Sequence, residues 1–116
     1  MQPDAPALLW QARRAAGLIL EFVSGRSFED YERDPMLKSA VERQFQVIGE
    51  ALNRLSRFDL GTAERVPDLP RIVAFRNVLV HGYATIDDAL VWEVATTRVQ
   101  ALVYALEQLL AEAPKV

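Results

Sequence analysis

Leu37, Val41, Phe45, Ile48, Leu52 and Leu55 recur at steps of three and four residues, a spacing that gathers them on one side of an α-helix and scatters them across both faces of a strand. The stripe predicts a long helix with one buried face, and the residues around it set the remaining elements. Pro3 and Pro6 open an earlier helix over about Ala5 to Val23, stopped by Ser24-Gly25. Ser27 followed by Asp30 has N-cap spacing, which predicts a short helix over Phe28 to Arg33 before Asp34-Pro35 starts the long one. Gly61 is expected to end that long helix. Pro67 and Pro70 bracket a turn ahead of a third, short helix from about Leu69 to Val80, with Gly82 at the C-terminal position where φ > 0 is common. Asp87-Asp88 caps a last helix whose Leu90, Val91, Val94, Ala95, Leu102, Leu106 and Leu109 form an apolar face ending near Pro114. No alternating stretch is long enough to compete as a strand. The expected fold is all-α: an up-and-down bundle of three long and one or two short helices, a single domain over residues 1–116.

Composition narrows the functional classes. Half of the 116 residues are apolar, enough for one core and too many for a disordered chain. With no cysteine, disulfide frameworks and cysteine-based zinc sites are excluded, and the single histidine has no acidic residue at helical spacing. No metal or cofactor is expected. The longest apolar run, Ala15 to Leu20, is far too short to cross a bilayer, and the N-terminus lacks a basic patch followed by an apolar secretory core. A cytoplasmic protein without membrane partners is the expectation. The net charge of −3 disfavours indiscriminate nucleic-acid binding. Between Arg54 and His81, however, five arginines stand against three acids, a local balance of +2 against −5 elsewhere. Such a patch is either a solvated face or a place where RNA is attracted.

The tract Arg76-Asn77-Val78-Leu79-Val80-His81-Gly82-Tyr83 gathers an arginine, a carboxamide, the only histidine and a phenol. These groups suit phosphate chemistry without a metal, since an imidazole moves protons near neutral pH and a guanidinium holds a phosphate by parallel hydrogen bonds. On a helical wheel with Ile72 at zero, Leu79 falls at about 340°, Phe75 at about 300° and Arg76 at about 40°, which puts the guanidinium among core positions. It then needs a partner. Either a carboxylate such as Glu50 pairs with it and only fixes helix register, or Arg76 floors a cleft where it meets a phosphate; both hold if Glu50 orients the guanidinium. Asn77 and His81, at about 140° and 180°, are expected neighbours at the edge of the apolar face. His81 is either a helix C-terminal cap or a proton-transfer group. Tyr83 is either an aromatic packed on the bundle end, an RNA contact, or an acceptor for a modifying group.

Cleavage of RNA without a metal needs a base for the ribose 2′-hydroxyl, an acid for the leaving 5′-oxygen and a cation on the transition state. A lone histidine cannot make both transfers, so a symmetric homodimer that brings two copies of the tract together is mechanistically attractive.

Arg76-Asn77-x-Leu79-x-His81-x-Tyr83 resembles the Arg-x4-His-x-Tyr signature of the HepT-like toxins of the HEPN superfamily. Phe28-Glu29-Asp30-Tyr31, Val41-Glu42-Arg43, Ile48-Gly49-Glu50-Ala51, Pro67-x-Leu69-Pro70 and Val91-Trp92 also resemble landmarks of that family in order. The resemblance implies a dimerising helical bundle and a metal-independent ribonuclease toxin with Arg76 and His81 as its catalytic pair. It also implies a partner, an MntA-like minimal nucleotidyltransferase antitoxin that transfers AMP from ATP to Tyr83. The competing expectation is a non-catalytic helical module that binds nucleotide or a nucleotidyltransferase through the same patch.

Overall fold

The computed structural model describes residues 1–82 and 86–113. Among them the chain is helical, without strands. The helices are α1 (Ala5–Val23), α2 (Phe28–Arg33), α3 (Pro35–Phe58), α4 (Leu60–Ala63), α5 (Leu69–His81), α6 (Asp88–Thr97) and α7 (Val99–Ala111). The all-α bundle read from the apolar stripes is the fold observed.

Helix α3 is the spine. Its Leu37, Val41, Phe45, Ile48, Leu52 and Leu55 are all buried, and α1, itself buried at Leu9, Ala12, Ala16 and Ile19, packs along α3. Helix α7 also packs on α1, and its Val99, Leu106 and Leu109 are buried in the same core. Burying a leucine or isoleucine in this core is worth about 1.5–3 kcal/mol. Helix α5 lies on α3 but makes little contact with α6 and α7, which leaves a cleft on that side of the bundle.

Local hydrogen bonds start the helices where the sequence placed them. Ser27 and Asp30 form a reciprocal capping box on α2, Asp34 accepts from the Leu37 amide at the start of α3, and Asp87 accepts from the Ala89 and Leu90 amides at the start of α6. Each cap contributes about 1 kcal/mol. Behind α2, Tyr31 is fully buried against Trp92, with ring centroids 5.4 Å apart.

Three expectations about helix ends are corrected. Gly61 does not end the long helix. The chain leaves helical geometry at Asp59, whose carboxylate accepts from the Thr62 amide and hydroxyl and so begins α4 around Gly61. The expected single last helix is divided at Arg98, where φ is −112°. The Thr96 and Thr97 hydroxyls donate back to the carbonyls of Trp92 and Glu93 just before the break, a competition with the backbone that bends helices. Gly82 does not take a positive φ: it is extended at φ −73°, and its N–H donates to the Val78 carbonyl at 2.7 Å. Glycine is suited here by space, because a Cβ would run into that carbonyl.

Candidate active site

Helix α5 begins under constraint. Asp68 precedes it in the left-handed region at φ 60°, a conformation that aspartate tolerates better than most residues, and Pro70 sits in its first turn. An ion pair of 3.5 Å from Arg98 to Asp68 ties this end of α5 to the α6–α7 junction.

The other end carries the chemistry. At Gly49 of α3 the backbone of α5 comes so near that a Cβ would overlap Arg76. A glycine in mid-helix costs about 1 kcal/mol relative to alanine, so its presence at Gly49 is the sequence signal for this approach. The close crossing sets Arg76 beside Glu50, and Arg76 Nη2 donates to Glu50 Oε1 at 3.2 Å. Arg76 Nη1 donates to Asn77 Oδ1 at 3.0 Å. The Arg76 side chain is 23% exposed, so the guanidinium is half-sunk rather than sealed. Its Nε is buried without a hydrogen-bond partner, an arrangement that costs about 1–3 kcal/mol.

Asn77 and His81 line one shallow, open depression with Val78 and Gly82, as their four-residue spacing requires. His81 is exposed on the last turn of α5. Among the described residues no hydrogen bond joins His81 to Arg76. Asn77 is the link, touching the guanidinium on one side and sharing the depression with His81 on the other. Tyr83 lies outside the described residues. Among the described residues no group of three potential metal ligands occurs, and no helix is long and apolar enough to cross a membrane.

A chain of polar groups, Glu50–Arg76–Asn77, thus ends beside the only histidine of the protein. A family model for HepT-like ribonucleases matches residues 12–109, a span that includes all four of these residues. The chain belongs to the HepT-like ribonuclease family.

Curated relatives agree with that membership. A protein of Methanocaldococcus jannaschii named "Putative RNase" is 29% identical over 93 residues, covering 78% of this chain and 83% of that protein. Another of the same name from Caldanaerobacter subterraneus subsp. tengcongensis is 30% identical over 92 residues, covering 79% and 81%. No solved structure matches the chain significantly.

The sequence did not reveal that α5 stands away from α6 and α7. The cleft between them holds about 400 Å³ and is floored by Phe45, Ile48, Ile72, Phe75, Val94 and Leu102. Phe45 and Phe75 meet edge to face there, with centroids 5.0 Å apart.

Proposed function

We propose that this HepT-like chain is a metal-independent endoribonuclease, the toxin of a type VII, HepT/MntA-like toxin–antitoxin pair, with RNA, tRNA included, as its substrate. The observation that carries the reading is the Glu50–Arg76–Asn77 chain held beside the His81 depression. Glu50 orients the guanidinium, Arg76 offers charge to the phosphate, and Asn77 positions either the phosphate or the imidazole.

The reaction is a transesterification. The ribose 2′-oxygen attacks the adjacent phosphorus as a base takes its proton, and the P–O5′ bond breaks as an acid protonates the leaving oxygen. The products are a 2′,3′-cyclic phosphate and a 5′-hydroxyl. One chain supplies one histidine, so a homodimer provides the second proton-transfer group. Adenylylation of Tyr83 by a nucleotidyltransferase antitoxin would add bulk and negative charge two residues from His81, where the substrate phosphate must bind.

A second reading rests on the same guanidinium. Two of its nitrogens already donate to protein oxygens, which suits a non-catalytic module that binds nucleotide or a nucleotidyltransferase. The deciding experiment is cleavage of total cellular RNA and tRNA by purified, unmodified protein in excess EDTA, beside a His81→Ala variant shown to be folded. The ribonuclease reading expects cleavage that falls by about 10²–10⁴-fold in the variant. Equal activity of both proteins would remove His81 from the chemistry, and inactivity of both would favour the binding module.

A further inference from the structure

We infer that the cleft between α5 and the α6–α7 arm is the nucleobase pocket of the RNA site and that it takes guanine. The inference rests on the ribonuclease reading and adds to it a substrate-selecting residue, Glu93, remote from the Arg76–His81 tract.

Its volume of about 400 Å³ lies in the range of small-ligand sites, about 300–1,000 Å³. The floor is apolar and includes the aromatic pair Phe45 and Phe75. An unstacked base gains by leaving water for such a surface, and single-stranded RNA is read by turning bases out onto aromatic side chains.

The cleft and the His81 depression share no lining residue, but they meet at neighbouring positions of α5 and α3. Phe75 on its floor immediately precedes Arg76, and Ile48 immediately precedes Gly49, against which Arg76 packs. One turn of α5 therefore presents an apolar surface to the cleft on one side and the guanidinium to Glu50 on the other. RNA held by its phosphate at Arg76 must then reach across this turn of α5 to place a base in the cleft.

The charges on the walls choose the occupant. Arg71 of α5 and Glu93 of α6 both line the cleft, and neither takes part in an ion pair among the described residues. Asp68 and Arg98, also on the lining, are paired with each other. The cleft thus keeps one carboxylate and one guanidinium available to a ligand. A carboxylate with two oxygens suits a base that presents two adjacent N–H donors, and guanine does so through N1–H and the 2-amino group. Arg71 suits a flanking phosphate. An apolar helix from another protein would cover both charges without answering either.

The test uses short single-stranded RNAs that carry one guanosine, inosine or adenosine on a uridine background, cleaved by the wild type, Glu93→Gln and Arg71→Ala. Inosine lacks only the 2-amino group. The wild type should cut beside guanosine with a KM about tenfold below that for inosine or adenosine and a similar kcat. Glu93→Gln should erase the preference, and Arg71→Ala should raise KM on every sequence. A wild type indifferent to the base, or a preference that persists in Glu93→Gln, would overturn the inference while leaving the ribonuclease reading intact. GMP titrated into isotopically labelled protein supplies a readout independent of cleavage. Shifts at the Ile72, Phe75 and Leu102 amides that AMP does not produce support the pocket even if no RNA is cut, and their absence overturns it. A Leu90→Asp variant that turns a dimer into a monomer while the wild type ignores GMP would assign the cleft to a second copy of the chain instead.

Discussion

Gly49 and Arg76 touch across the crossing of α3 and α5 so closely that a Cβ on Gly49 would overlap the Arg76 Cβ and lie 2.6 Å from its Cγ. A missing side chain on one helix thus sets the position of a functional one on the other. Gly49→Ala must push α5 outward. It should cost about 1–3 kcal/mol in urea denaturation despite the higher helix propensity of alanine, and RNA cleavage should fall with it because Arg76 leaves Glu50. A variant as stable and active as the wild type would show that the two helices separate freely.

Glu50 and Arg76 form a partly exposed pair, with side-chain exposures of 45% and 23%, and such pairs add little stability. If Glu50 serves mainly to aim the guanidinium, Glu50→Gln should change stability by less than about 1 kcal/mol while lowering kcat by about tenfold with KM nearly unchanged. A large loss of stability with normal kcat would mark the pair as a structural tie.

Glu42 supplies a pH dependence. Burial, then repulsion from Asp88, raise its carboxyl above the ordinary value of 4.5, against the pull of Lys38. The folded chain therefore favours the protonated form. This group's contribution to stability declines as pH rises from the ordinary carboxylate value through the raised folded one, and it stays lower above that. Glu42→Gln should raise Tm at pH 7, with the gain fading below pH 4.5. Lys38, whose Nζ lies 3.2 Å from Asp88 Oδ2, is to be left intact in that comparison.

Modification at Tyr83 is checked by intact mass after co-expression with a nucleotidyltransferase antitoxin and ATP. Each AMP should add about 329 Da. Tyr83→Phe should show none and should stay active beside the antitoxin; additions that persist in the variant would place the acceptor elsewhere.

How much of this was legible in the chain can be judged residue by residue. The caps at Ser27, Asp34 and Asp87 and the α3 stripe were readable because each rests on partners within a few residues, where helix geometry leaves few alternatives. The wheel placed Arg76 toward the core and Asn77 beside His81 for the same reason, and Glu50 was nameable as a partner because it adjoins a buried stripe. The break at Arg98 and the early end at Asp59 escaped, because threonine and aspartate side chains there compete for backbone groups in ways that composition does not rank.

The sequence by itself determined the helical character of the described residues, the start of most helices and the side of α5 on which Arg76, Asn77 and His81 stand, since these follow from bonds between near neighbours. Only the tertiary structure decided that α5 rests on α3 through Gly49 and stands away from α6 and α7. Those separations are set by how side chains of distant segments fill the space between helices, and no periodicity along one helix encodes its distance from another.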